Sequence, residues 1–120
     1  MNYTDHRAYQ LAHELSNIIW SVVKHWSSFE QNTIDNQLVR SCDSVSSNVA
    51  EGWGRYYKKD KILFYTYARA SLHETMDWLL KAHNRRLIDN NSLERINEII
   101  QTLPKELNGL IKGTRINLKF

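Results

Sequence analysis

One stretch, residues 37–55 with the sequence QLVRSCDSVSSNVAEGWGR, constrains the fold more than any other part of this 120-residue chain. Leu38, Cys42, Val45 and Val49 recur at helical spacing and make a core stripe. Beside them Arg40, Ser44, Asn48, Glu51 and Arg55, spaced by three or four, make a second stripe that is polar throughout. Gly52 and Gly54 then punctuate the pattern, as glycine tolerates a positive φ or a close backbone approach. The polar stripe reads either as a surface whose arginines meet phosphate or, the favoured reading, as a structural network in which Asn48 and Glu51 hydrogen-bond the adjoining helix or the 52–59 turn and Glu51 pairs with Arg55.

The same period continues on both sides. A first helix starts near Asp5, a predicted N-cap, and places Ala8, Leu11, Ala12, Leu15, Ile18, Ile19, Val22 and Trp26 on one face. Residues 27–33 read as a polar break, and the second helix begins near Ile34. A third runs from about Asp60 to Asn84 through Phe64, Ala68, Ser71, Leu72, Thr75, Trp78 and Leu79. After the turn-forming cluster Asp89-Asn90-Asn91-Ser92 come Leu93, Ile96, Ile100, Leu103, Leu107 and Ile111 in a fourth. Pro104 is expected to bend or restart that helix. One proline and four glycines leave little for loops, and nothing predicts a strand. Four helices with short connections predict an all-α, antiparallel up-down-up-down four-helix bundle over residues 1–112, with a basic, loosely ordered tail at 113–120. Ile18 with Ile19, Ile99 with Ile100, and Tyr56, Tyr57, Tyr65 and Tyr67 exceed the needs of one core, which suggests subunit contacts.

Charge is distributed unevenly. Residues 1–51 carry three bases and six acids, whereas residues 52–86 carry eight bases and three acids. Residues 87–103 are acidic again, and 104–120 hold four bases and one acid. That layout favours an anionic partner at one end or face. In the run Arg55-Tyr56-Tyr57-Lys58-Lys59-Asp60-Lys61, bases can neutralise phosphates while tyrosines stack on unpaired bases. The alternative is a solvated turn with its tyrosines packed inward. Lys81, Arg85 and Arg86 offer a second patch at the far end of the third helix. Lys112, Arg115 and Lys119 offer a third, which antiparallel packing would bring beside residues 52–61.

Catalytic signatures are absent. His13-Glu14 and His73-Glu74 lack a second histidine at metal-binding spacing, and there is no Cys-x-x-Cys, Walker or Gly-x-Ser-x-Gly pattern. Gly52-Trp53-Gly54 lacks the third glycine of a dinucleotide site. The chain is therefore expected to be neither an enzyme nor a cofactor or metal carrier. A lone cysteine, no membrane-length apolar run and no signal-peptide layout fit a cytoplasmic protein.

The pattern Q-L-x-R-S-x-x-S-V-x-x-N-V-A-E-G-x-G-R resembles the signature of the four-helix-bundle family encoded by intervening sequences in bacterial 23S ribosomal RNA genes. That family is related to accessory variability proteins of diversity-generating retroelements. Tyr67-Ala68-Arg69-Ala70-Ser71-Leu72-His73-Glu74 resembles its I-A-x-G-S-x-x-E helix, and Leu107-Asn108-Gly109-Leu110-Ile111-Lys112 its closing L-x-G-L-I-x segment. Ser46 and Ala70 depart from the usual residues, which leaves partner details open. The resemblance marks Arg40, Ser44, Asn48, Glu51, Gly52, Gly54, Ser71 and Glu74 as motif positions. It implies a ring-like homopentamer that binds nucleic acid, RNA in the first instance, with a reverse transcriptase as partner in a retroelement setting. The competing expectation is a protein–protein adaptor.

Overall fold

Helical periodicity becomes four helices in the computed structural model, which describes residues 1–27 and 34–120. A 3-10 turn at Tyr3–Asp5 leads into α1 (Arg7–Val23), followed by α2 (Asn36–Gly54), α3 (Lys58–Asn84) and α4 (Asn90–Asn117). The polar break expected at residues 27–33 lies, apart from Ser27, outside the described residues.

Three of the four helices begin at a side-chain cap. Asp5 is not the N-cap of α1; it closes a capping box with Asn2, and His6 caps the helix through Nδ1, which accepts from Ala8 N at 3.0 Å. Asp35 accepts from Asn36 N at the start of α2. The side chain of Asp89 accepts from Ser92 N and Ser92 Oγ, both at 2.8 Å, and starts α4. α3 starts two residues before Asp60 and has no side-chain cap.

The core stripes are where the periodicity puts them. Leu38, Cys42, Val45 and Val49 are buried, as are Leu11, Leu15 and Ile19 of α1, Leu72 and Leu79 of α3, and Ile96, Leu103 and Leu107 of α4. Of the paired isoleucines, Ile19 and Ile99 are buried while Ile18 and Ile100 pack against the core's edge. Tyr65 is no surplus surface residue: it is 2% exposed, beneath the end of α2.

Contacts across the helices fix their order and sense. Ser16 of α1 meets Cys42 of α2, Ser44 meets Ser71 of α3, Arg69 meets Asn108 of α4, and Arg95 of α4 returns to Glu14. Nearer the helix ends His6 faces Trp53, Gly52 faces Tyr65, and Thr75 faces Ser41. These registers run in opposite sense along α1–α2 and α2–α3. The result is a four-helix bundle of 49 × 24 × 21 Å.

The α2–α3 seam is built from small residues. Thr75 Oγ1 shares its one proton between Ser71 O (2.8 Å) and Ser41 Oγ (3.1 Å), and Ser44 Oγ lies 2.8 Å from Ser71 Oγ. Short hydroxyl side chains satisfy one another there and let the helices approach. Gly52 extends that approach. It has an ordinary helical φ, but a Cβ on it would lie 2.6 Å from Tyr65 Cε1 and 3.1 Å from Phe64 Cβ. Close packing, not a positive φ, calls for glycine at this position.

Two expectations about α4 need correction. The helix does not restart at Pro104 but runs through it with one backbone donor fewer. It also continues through Gly113 to Asn117, because Thr114 is buried and donates to Leu110 O. The segment expected to be a tail from 113 is thus mostly helix.

Candidate nucleic-acid interface

The exit of α2 and the entry of α3 form one end of the bundle. Arg55 leaves the helix in an extended conformation, its N–H donating to Gly52 O at 3.2 Å. Two residues after Arg55, Tyr57 O accepts from Lys61 N, and α3 is under way. So tight a turn leaves its middle no interior to occupy. Tyr56 and Tyr57 are 81% and 58% exposed and stand edge to face with ring centroids 5.0 Å apart. The inward-packed alternative for these two rings is not what the fold adopts.

The bases around them divide by what else holds them. Lys59 is exposed and Lys58 partly buried. Arg55 is committed on two sides, with Nη2 2.8 Å from Glu51 Oε1 and its guanidinium 4.4 Å from the Phe64 ring centroid. Lys61 turns inward: Nζ donates to Trp53 O at 2.7 Å and to Gly52 O at 3.4 Å. It ties off the last carbonyls of α2, and its partial burial holds its pKa below the usual lysine value. Sequence spacing could not distinguish this role from phosphate binding.

The C-terminal residues join the same end. Lys58 N donates to Phe120 O at 2.5 Å, so the last residue lies against the first turn of α3. Arg115 and Lys119 are exposed there, with Lys112 exposed about one turn before Arg115 on α4. Lys81, Arg85 and Arg86 are not brought to this site. They lie toward the far end of α3, roughly 40 Å long at 1.5 Å per residue. Lys81 pairs with Asp77 and sits 4.9 Å from the Trp78 ring centroid. Arg86, exposed, has φ 59° and occupies the left-handed position that ends α3, where Leu87 N donates to Ala82 O.

The polar stripe of α2 separates into two parts. Asn48 Nδ2 donates to Ser44 O (2.8 Å) and Ser44 Oγ (3.0 Å) within α2 and so holds the hydroxyl that meets Ser71 in the α2–α3 seam. Glu51 holds Arg55, and Glu74 accepts from Trp78 Nε1 at 3.2 Å. Gly54 is exposed, and a Cβ there would meet nothing within 4 Å; Arg40 is exposed on the outer surface. Sequence reasoning missed Trp53 and His6, whose rings face each other at 6.0 Å beside this end.

Among the described residues no group of three or more His, Cys, Asp or Glu could hold a metal ion. Among the same residues no helix is long and apolar enough to cross a membrane. Cys42 is buried, and burial pushes its thiol up to about 12, far from a reactive thiolate.

No protein of curated description matches the chain. The fold is shared with the crystal structure of a protein of unknown function from the S23 ribosomal protein family of Bacteroides thetaiotaomicron. The two superpose with a TM-score of 0.75 over 88% of this chain and 98% of that one, at 24% identity. The family model described as 23S rRNA-intervening sequence protein matches residues 4–109, and the chain belongs to that family.

Proposed function

We propose that this protein is a non-catalytic, cytoplasmic RNA-binding bundle whose contact surface is the end built from residues 55–59 and the C-terminal segment. One observation carries the reading: two tyrosines project into solvent between Arg55 and Lys58-Lys59, and the Lys58–Phe120 hydrogen bond brings the C-terminal segment that carries Lys119 to the same end. Phosphates would meet the lysines and arginines, while unpaired bases stack on the rings. The chain acts as a ring-like homopentamer, in which one modest patch repeated per subunit binds far more tightly than a single copy. Its family's relation to retroelement accessory proteins extends the reading to an RNA template offered to a reverse transcriptase. A protein–protein adaptor is the second reading, favoured by Leu80, 57% exposed beside a groove of Met76, Leu93 and Ile100.

The test is fluorescence anisotropy with a single-stranded RNA across a salt series. Lys58→Glu with Lys59→Glu should lower affinity at least tenfold and flatten the salt dependence, since each lost phosphate contact removes roughly 0.7 from the logarithmic slope. Tyr56→Ala with Tyr57→Ala should weaken binding at every salt concentration. Lys61 is left intact, because its ammonium caps α2. Unchanged affinity and slope in both variants would turn the search to protein partners at the Leu80 groove. Light scattering checks the ring, which requires a mass near five times 14.2 kDa.

A further inference from the structure

Gly109 and Gly113 stand four apart on one face of α4, inside the helix, where glycine is less stable than alanine. Nothing in the chain's own packing calls for either. A Cβ at Gly109 would meet no heavy atom within 4 Å, and one at Gly113 only Asn117 Nδ2 at 3.9 Å. Gly52, against Tyr65, shows what a packing glycine looks like in this molecule.

The bare backbone they leave lines a cavity of about 460 Å³. Trp53, Tyr65 and His6 supply aromatic walls; Asn117 supplies an amide, and Thr114, whose proton goes to Leu110 O, supplies a hydroxyl oxygen that can only accept. The volume falls among those of small-molecule sites, about 300–1,000 Å³. No acidic side chain lines it, and Lys61 brings a positive charge. Ring faces, an uncluttered floor and a few directional polar groups suit a flat heteroaromatic ring, stacked on its face and hydrogen-bonded on its edge.

Position identifies where such a ring would come from. Trp53 lies three residues before Tyr56, Lys61 lies two after Lys59, and Leu118 borders the cavity two residues before the Phe120 carbonyl that binds Lys58. A strand held by Lys58 and Lys59 would therefore pass beside the opening. We infer that this cavity receives one unpaired nucleobase of the bound RNA, stacked against Trp53 above the Gly109–Gly113 backbone, with Asn117 and Thr114 at its edge. The inference rests on the RNA-binding reading for the source of the base, and it adds base preference to a surface that otherwise recognises only phosphate and stacking.

Fluorine NMR of fluorotryptophan-labelled protein tests the cavity directly, with the Trp53 signal assigned from Trp53→Phe. Each of the four nucleoside monophosphates is titrated in turn. In parallel, anisotropy compares an RNA with the same RNA carrying an abasic site, on the wild type and on Gly113→Leu, whose side chain fills the cavity. At least one nucleotide should move the Trp53 signal, and Gly113→Leu should abolish that shift. The intact RNA should bind the wild type at least fivefold more tightly than the abasic one, and that preference should vanish in the variant. If no nucleotide moves Trp53 and both RNAs bind alike, the cavity assignment is overturned while the lysine patch stands. If neither RNA binds, the patch reading falls as well, and the nucleotide titration alone decides the cavity. A change of assembly mass in Gly113→Leu would make the glycine pair a contact between copies of the chain and overturn the assignment. The wild-type comparisons hold even if Gly113→Leu fails to fold.

Discussion

Alanine at each of two glycines should move stability in opposite directions. At Gly52 the new methyl would lie 2.6 and 2.8 Å from the Tyr65 ring, and Tyr65, at 2% exposure, has little room to retreat. Overpacking of this kind costs about 1–3 kcal/mol. Alanine in a helix returns about 1 kcal/mol relative to glycine. Gly52→Ala should therefore destabilise by up to about 2 kcal/mol, and valine by more. At Gly109 no clash exists, and only the helical gain of about 0.5–1 kcal/mol remains. For a chain of this length each kcal/mol moves Tm by roughly 3–6 °C. Thermal unfolding by circular dichroism, at one fixed protein concentration, reads both variants. Tyr65→Leu should cost less in the Gly52→Ala background than alone, because the ring it removes is the obstacle. A Gly52→Ala protein that melts at or above the wild type, or a Gly109→Ala protein that melts below it, would refute the reasoning.

Three further outcomes are expected. Arg86→Gly should raise stability by about 1 kcal/mol, since a side chain at φ 59° is strained there and glycine is not; urea unfolding measures it. Glu14 accepts two hydrogen bonds from Arg95, which hold its carboxyl below the usual value of 4.5, so its contribution is present above that pH and is lost as pH falls through the lowered value. Tm should accordingly fall less steeply on acidification in Glu14→Gln than in the wild type. Thr75→Val removes a fully buried donor to Ser41 and Ser71 and should cost about 1 kcal/mol in the same urea assay.

The bundle itself was legible because its signal is long-range periodicity, which tolerates single-residue errors. Every member of the Leu38, Cys42, Val45 and Val49 stripe is buried. What sequence could not assign was the use of residues with two plausible employments. Lys61 reads like its neighbours, yet helix geometry points it back to the carbonyls of Trp53 and Gly52. Asp5 and His6 both offer an acceptor near a helix start, and Asn2 claims the first of them. Gly52, Gly109 and Gly113 look alike in a string of letters; what separates them is the presence or absence of a facing side chain. Tyr65 and Tyr56 differ for the same reason, one under a helix and the other on a turn.

The hydroxyl seam between α2 and α3 also bears on how the chain finds its fold. Its pairs are 27 and 34 residues apart, whereas the Glu14–Arg95 pair that joins α1 to α4 closes 81 residues. Loop-closure entropy grows with the logarithm of that separation, so the longer closure costs about 1 kcal/mol more. Ser16 and Cys42 join α1 to α2 over 26 residues, but α2 and α3 already meet at Gly52 and Tyr65, only 13 residues apart, so the α2–α3 hairpin is the economical nucleus and the outer two helices dock onto it afterwards. Stopped-flow kinetics would then show Thr75→Val slowing folding, and Glu14→Gln chiefly speeding unfolding. The residues that carry the family's signature are, on this view, also the first to meet.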